Sequence, residues 1–397
     1  MSVYAQFTDA YAPIRDGVST LVHNYATHLN RAGHRTLVVA PGVPNYEETD
    51  PFEVVRMRSL LVPPRKPYRL QLPTFSPSSR RRLDRTGFDL VHAHSPLVAG
   101  AEALRVARRQ NIPLVVTFHS KMRDDFAQAV HSDWLAGAIN KSVMRFYDKA
   151  DAVWTVNQST LGTMREYGFQ GRVDVVPIGC DMVGHPRDRD AAAAFIQAQY
   201  GISPDVPLLL FVGQMTQVKN PMLVVSAYAE LARRGSPCHL LMVGEGGYLQ
   251  ALQDQAMQLG VAEKVHFAGV LHQRDALASC YTRADLFVFP SRYDNAPLVV
   301  REASAMACPS LLLRGTNAAE GVTHGENGFL AETDSLLPFT QALTDVLADP
   351  ARMRAAGERA RDTLAFAWEN VAGEVAARYA DIQREFIRRP TRRRSQA

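Results

Sequence analysis

This chain is poor in the features that mark membrane, metal and nicotinamide proteins. No apolar run approaches the length of a membrane-spanning helix, which excludes a helical integral membrane protein. The first residues, Met1-Ser2-Val3-Tyr4-Ala5-Gln6-Phe7, read as a strand. They lack a charged segment followed by an apolar one, so no signal peptide is expected. Only four cysteines occur, Cys180, Cys238, Cys280 and Cys308, scattered without metal-type spacing. That favours a reducing cytoplasm and isolated, buried thiols, with no metal centre. No G-x-G-x-x-G fingerprint follows the first strand, so a nicotinamide or flavin cofactor is not expected. Zinc and RNA-binding motifs are missing too, and the basic clusters lack regularly interleaved aromatics. Nucleic acid is therefore not an expected partner.

What is present is ordinary globular composition, with 46% hydrophobic and 21% charged residues over 397 positions. That length exceeds one hydrophobic core, so two domains of similar size are expected. The net charge of +4 is unevenly spread. Arg65, Lys66, Arg69, Arg80, Arg81, Arg82 and Arg85 crowd one stretch, and Arg384, Arg388, Arg389, Arg392, Arg393 and Arg394 crowd the end. Such clusters suit an anionic membrane surface, or they form a solvated basic face and a disordered tail.

Strand-like runs alternate with helical patterns, the signature of parallel sheets built from βα units. Strands are expected at 3–7, 35–39, 90–93, 113–117, 152–155 and 173–177, with a helix over 17–30 that stops at Gly33. Five prolines in 63–79 predict an exposed loop, followed by a basic helix. The pattern then restarts, with strands at 207–212, 240–243, 265–268, 286–289 and 310–313 and helices at 220–234, 247–259 and 274–281. Two Rossmann-like domains follow, joined by a linker near 179–203, with a nearly continuous helical end over 338–389 broken at Pro350. In such a protein the active site is expected in the cleft between domains.

Chemistry gathers in the loops after strands, where ligands bind in open α/β sheets. Asp294 and Glu302 stand eight residues apart around a turn after strand 286–289, with Pro297 between them. If Pro297 lies in the first helical turn, Asp294 precedes the helix and Glu302 lies inside it. Two carboxylates there suit a hydroxyl-rich ligand, but an N-capping Asp with a solvated Glu gives the same pattern. Gly17 opens a helix after the first strand, where backbone N–H groups suit a phosphate. Lys219, just ahead of Asn220-Pro221, suits a diphosphate as a point charge or is a surface lysine. Val243-Gly244-Glu245-Gly246-Gly247 allows close ligand approach or a tight turn. His119 follows a strand and could bond a substrate hydroxyl. Of His92 and His94, the latter lies nearer the strand's carboxyl end and is the better cleft candidate.

With these pieces in order, the chain resembles the retaining nucleotide-sugar glycosyltransferases of family 4, which have the GT-B fold. The resemblance rests on Asp16-Gly17-Val18, His92-Ala93-His94-Ser95-Pro96, Thr117-Phe118-His119, Val176-Pro177-Ile178-Gly179-Cys180-Asp181 and Val212-Gly213-Gln214 with Lys219. Gly244-Glu245-Gly246, Phe267-Ala268-Gly269, Asp294-x7-Glu302-Ala303 and Gly325-Glu326-Asn327-Gly328-Phe329-Leu330 complete it. It implies two Rossmann-like domains with parallel sheets facing across an interdomain cleft. Residues 1–180 would form the acceptor domain and 181–370 the nucleotide-sugar donor domain. Residues 371–397 would form a helical tail returning to the first domain, with a basic disordered end.

The resemblance also implies roles. Lys219, Gln214 and the Gly17 backbone would meet the donor diphosphate, and Glu302 the ribose. Asp294 would read donor-sugar hydroxyls, with Asn295, Pro297, Leu298 and Val299 lining the sugar or phosphate. His119 would sit at the reacting centre. The reaction would move a hexose, with retention and without metal or cofactor, from a nucleoside-diphosphate sugar to an acceptor hydroxyl on a lipid or glycan. Departures from the family pattern are Gln214 for Arg, Asp294 for Glu, Ile178 for Asn and Ala307 for Gly. Gln214, Lys219-Asn220 and Asp294-Asn295-x-Pro297-Leu298-Val299 together look like a subgroup. Within it the N-terminal pattern is similar to diacylglycerol glucosyltransferases, which implies UDP-glucose, a glycolipid product and a cytoplasmic enzyme peripheral to the inner membrane face. A UDP-amino-sugar epimerase of the same fold and a degenerate nucleotide-sugar-binding protein are the alternatives. The acceptor pocket is expected in loops 63–79 and 121–133.

Overall fold

The computed structural model describes residues 1–14, 16–63, 66–119 and 133–388. They form two compact units, Met1–Gly179 with Trp368–Ala397, and Cys180–Ala367. Loop 121–132, Arg65 and the arginines from Arg389 onward lie outside the described residues.

In the first unit the strands are β1 (Val3–Phe7), β2 (Arg35–Pro41), β3 (Val54–Met57), β4 (Ser59–Leu61), β5 (Arg69–Gln71), β6 (Leu90–Ala93), β7 (Leu114–Phe118), β8 (Ala152–Thr155) and β9 (Asp174–Val175). Seven form one sheet in the order β3-β2-β1-β6-β7-β8-β9, every pair parallel, and β4 and β5 make a separate antiparallel pair. The helices are α1 (Gly17–Arg31), α2 (Pro77–Arg85), α3 (Val98–Gln110), α4 (Asp133–Tyr147) and α5 (Gln158–Glu166). Because strand side chains alternate, the sheet has two chemically different faces. Ala5, Phe7, Val91, Ala93, Val116 and Phe118 share one core with Leu83 of α2, Val106 of α3 and Met164 of α5. The opposite face is covered by α1 and by the C-terminal helix Trp368–Arg388, which pack on each other. There, Tyr379 of that helix stacks on Trp154 of β8 at 5.4 Å.

The second unit has α6 (Arg189–Tyr200), β10 (Leu208–Val212), α7 (Pro221–Arg233), β11 (His239–Val243), α8 (Leu249–Gln258), β12 (Val265–Gly269), α9 (Arg274–Arg283), β13 (Leu286–Phe289), α10 (Leu298–Ala305), β14 (Ser310–Leu313), β15 (Phe329–Ala331), α11 (Leu336–Leu347) and α12 (Pro350–Leu364). Its six strands form a wholly parallel sheet ordered β12-β11-β10-β13-β14-β15. All residues of β10, β13 and β14 are buried, as strands covered on both faces must be.

Several expectations are corrected. The stretch 179–203 is not a plain linker, because α6 fills it and packs on α9 inside the second unit. Its cap was readable, since Asp188 accepts from Ala191 N–H at one end and Gly201 is left-handed at the other. Within 63–79 the chain returns as β5 and a short 3-10 turn at Pro73–Phe75 before the basic helix α2. The strand expected at 173–177 shrinks to two residues at the sheet edge, where Pro177 has no N–H to offer. The helical end breaks a second time, at 365–367, because Cys180 N–H donates to Phe366 C=O at 2.8 Å and draws that segment out straight.

Candidate active site

Both sheets reverse their strand order once, between β10 and β13 in the second unit and between β1 and β6 in the first. At such a switch point the loops leaving neighbouring strands diverge, and a crevice opens beyond the strands' carboxyl ends.

In the second unit, the loops after β10 and β13 bring Lys219 and Asp294 together: the Lys219 ammonium is ion-paired with the Asp294 carboxylate. Its nitrogen also lies 3.5 Å from Tyr293 C=O and 5.8 Å from the Phe289 ring centroid. The loops are stitched by Arg292 N–H donating to Val218 C=O at 2.9 Å. An ammonium has three protons, so after Asp294 and Tyr293 one remains for a ligand. Pro297 does not lie in the first helical turn. It is the residue before α10, which starts at Leu298 with no side-chain cap. Asp294 is thus not a helix cap; its other oxygen accepts from Asn295 N–H at 3.0 Å. The first N–H groups of α10, at Leu298 and Val299, are left to ligand or solvent.

Glu302, one turn into α10, is buried and faces inward. It accepts from Arg274 at 2.9 Å and from the Tyr281 hydroxyl at 3.1 Å, both on α9. Burial works against the Arg274 charge, but Glu302 and Asp181 beside it outweigh that and raise its pKa. Burial, with Glu302 adding, pushes the Tyr281 phenol well up, so it stays a donor. Neither partner was found in the sequence, since each lies more than twenty residues from Glu302 and in no motif.

The glycine loop after β11 packs against the loop after β10 through backbone alone. Met215 N–H donates to Glu245 C=O at 2.8 Å, and a Cβ on Gly244 (φ 129°) would lie 2.0 Å from Gly213 C=O. Here the glycines serve loop packing, while Gln214 is exposed at the crest. Behind them the Thr216 hydroxyl and the Asn220 amide nitrogen are buried without a partner.

In the first unit, α1 begins at Gly17, and Asp16 caps it by accepting from Ser19 N–H at 2.7 Å. A Cβ on Gly17 would meet nothing within 4 Å, so the helix start faces open space. His119, directly after β7, is partly exposed and lies 3.1 Å from His94, which is buried behind it. Of the three histidines it is therefore His119, not His94, that meets the crevice. Burial lowers the His119 imidazole to about 4 and depresses His92 and His94 well below their ordinary value. Asp9, unnoticed in the sequence, is a structural carboxyl: it accepts from Ala99 N–H at the start of α3 and from Gln71, and burial pushes its pKa up.

Among the described residues, no group of three or more His, Cys, Asp or Glu is placed to hold a metal ion. All four cysteines are buried free thiols, and no described helix is long and apolar enough to cross a membrane.

Residues 15–183 match the family model described as Glycosyltransferase Family 4, and residues 193–363 that described as Glycosyl transferases group 1. The D-inositol 3-phosphate glycosyltransferase of Nocardia farcinica is 31% identical over 75% of this chain and 68% of its own. A GDP-mannose-dependent alpha-mannosyltransferase of Corynebacterium glutamicum is 26% identical over 94% and 87%. The alpha-monoglucosyldiacylglycerol synthase of Streptococcus pneumoniae is 22% identical over 76% and 69%. Among solved structures, sucrose-phosphate synthase from Thermosynechococcus elongatus superposes with a TM-score of 0.76 at 20% identity, over 96% of this chain and 99% of that one. The fold is GT-B, with one doubly wound parallel sheet in each unit.

Proposed function

The chain belongs to the family 4 glycosyltransferases, and from that membership we propose that it moves a hexose, with retention, from a UDP-sugar to an acceptor hydroxyl on a lipid or glycan. The observation that carries the donor half is the pairing of Lys219 with Asp294 beside the uncapped start of α10, at the switch point of the second sheet.

In this reading the diphosphate takes the remaining Lys219 proton and the N–H groups of Leu298 and Val299. Gln214, lacking a charge, contributes a hydrogen bond where an arginine would add attraction. Glu302 takes a ribose hydroxyl: each of its oxygens already accepts one bond from α9, and each retains a lone pair. Asp294 reads a sugar hydroxyl close to the phosphate, its shorter side chain drawing the sugar toward Lys219. In the first unit the open start of α1 at Gly17 leaves N–H groups suited to an anion, and His119 offers a neutral imidazole to the sugar or acceptor.

The bond between the sugar's anomeric carbon and the phosphate oxygen breaks, and the diphosphate leaves with the electron pair. The acceptor oxygen bonds to that carbon from the same face, and its proton passes to the departing phosphate oxygen, the nearest base on that side. Stabilising the leaving charge is the main electrostatic task, and a fixed ammonium with aligned N–H groups performs it without a metal. The exposed basic residues of α2 suit a lipid acceptor drawn from an anionic surface.

Incubation with UDP- and GDP-sugars and a lipid extract tests this. Product from a UDP-hexose and an acceptor supports it. Turnover only with GDP-mannose would correct the base. Conversion of the donor alone would mean epimerisation, and binding without turnover a degenerate donor-binding protein.

A further inference from the structure

A parallel sheet covered on both faces ordinarily carries apolar side chains on both. The face of the first sheet beneath α1 and the C-terminal helix instead carries Gln6, His92 and Thr117, each almost completely buried, with His94 and His119 just beyond the strand ends. These side chains and one tyrosine form a single row. His119 Nε2 lies 3.1 Å from His94 Nδ1, and His94 Nε2 lies 2.8 Å from Gln6 Oε1. Gln6 Nε2 donates to the Tyr379 hydroxyl at 3.2 Å. That hydroxyl lies 2.6 Å from His92 Nδ1, and His92 Nε2 lies 2.6 Å from Thr117 Oγ1.

With the Gln6 amide oriented so that its oxygen meets His94 and its nitrogen meets Tyr379, the row has one consistent proton order. A neutral imidazole has one N–H and one lone pair. Since Gln6 Oε1 can only accept, His94 donates from Nε2, and its Nδ1 must then accept. His119 therefore donates from Nε2, and its lone pair is left on Nδ1, which no described residue bonds. On the other side the Tyr379 oxygen, having accepted from Gln6, gives its own proton to His92 Nδ1, and His92 gives its Nε2 proton to Thr117. Burial keeps all three imidazoles neutral, so no link is broken by protonation near neutrality. Tyr379 cannot swing away, for it is fully buried, stacked on Trp154 and edge-on to Tyr4 at 4.9 Å.

We propose that Gln6 on the first strand and Tyr379 on the C-terminal helix are positioning residues for His119, holding its proton on Nε2 so that its Nδ1 accepts from a hydroxyl of the sugar or acceptor. This rests on the placement of His119 at the reacting sugar. It assigns the C-terminal helix a part in the chemistry, because its Tyr379 hydroxyl anchors the amide that sets the sense of the row. Without that anchor the buried Gln6 amide has no reason to keep its oxygen on His94, and His119 divides between two tautomers.

The full chain labelled with 15N-histidine tests this through two-bond 1H–15N correlations near pH 7.5, with His119 assigned by loss of its signals in His119→Asn. The wild type is expected to show His119 as a single Nε2–H tautomer. Tyr379→Phe and Gln6→Leu are expected to give a tautomer mixture. Gln6→Glu, whose carboxylate still accepts from His94, should keep the Nε2–H form. With the donor that supports turnover, kcat should fall roughly tenfold in the first two variants while donor KM stays within about twofold. A wild-type His119 protonated on Nδ1 would overturn the proposal, as would a Tyr379→Phe protein with unchanged tautomer and kcat. Should Tyr379→Phe fail to fold, the wild-type and Gln6→Glu spectra decide. Full turnover in His119→Asn would instead sink the sugar-site placement, and the spectra would still judge the row.

Discussion

At the scale of single residues, the contact between Lys219 and Asp294 decides how the two substitutions should differ. Both side chains are about four-fifths buried and paired, so in the proposed donor site the carboxylate would compete with a diphosphate for the same ammonium. Asp294→Ala is expected to abolish transfer, since no group then reads the sugar, while UDP affinity holds or tightens. Measured against the roughly 1 kcal/mol of an exposed pair, the gain on freeing Lys219 from this more buried one is of the order of fivefold. Lys219→Ala removes a charge-assisted contact of about 2 kcal/mol, and UDP should bind roughly 30-fold more weakly. Titration calorimetry with UDP reads both, and equal losses in the two variants would refute the division of roles. Lys219, Asp294 and Glu302 were legible because each follows a strand within one local motif. Arg274, Tyr281 and Gln6 were not, because their partners meet only once the sheet and α9 have folded.

At the scale of elements, strands inside the sheets were legible almost to the residue, as at Leu90–Ala93 and Leu286–Phe289, because burial on both sides demands unbroken apolar runs. Edge elements were not. Val54–Met57 alternates buried and half-buried residues, and Phe329–Ala331 is three residues long, so neither stands out from its surroundings. The polar positions within buried strands were the overlooked clue, since Gln6, His92 and Thr117 interrupt runs that should be apolar. They also make the first unit acid-sensitive. The folded pKa values of His92, His94 and His119 lie below the ordinary 6.5, so on acidification the unfolded chain takes up protons first. Their neutral forms are fully tolerated above about pH 6.5, and stability is lost as pH falls from there toward 4, by about 1.4 kcal/mol per pH unit for each such proton. Urea midpoints at pH 7.5, 6.0 and 5.0 should fall steeply in the wild type and less steeply in His92→Gln. A flat profile across that range would show that these histidines take up protons in the fold just as they do in the unfolded chain.

At the scale of the whole molecule, charge and exposed apolar surface bear on where the enzyme meets its acceptor. The basic cluster in the sequence overstates the free positive charge, because Arg80 is spent on Glu102 and Arg82 on Glu53. Arg81 and Arg85 of α2 remain exposed. In the preceding hairpin, β4 and β5 set Leu60 directly opposite Leu70, at 60% and 47% exposure, and Phe75 follows at 62%. An antiparallel pair that turns two leucines outward, followed by an exposed phenylalanine and by arginines on the next helix, suits an interface of acyl chains and anionic headgroups. The expected behaviour is flotation with vesicles rich in anionic lipid, weakening as salt rises. Each basic residue near such a surface contributes about 1 kcal/mol, so Arg81→Ala with Arg85→Ala should weaken partitioning roughly 30-fold. Leu60→Ser with Leu70→Ser should weaken it even at low salt, where the charges are intact, and deletion of 388–397 should add to either loss. If the wild type does not float at low salt, the hairpin and the arginines are an ordinary solvated surface, and the acceptor is a soluble glycan.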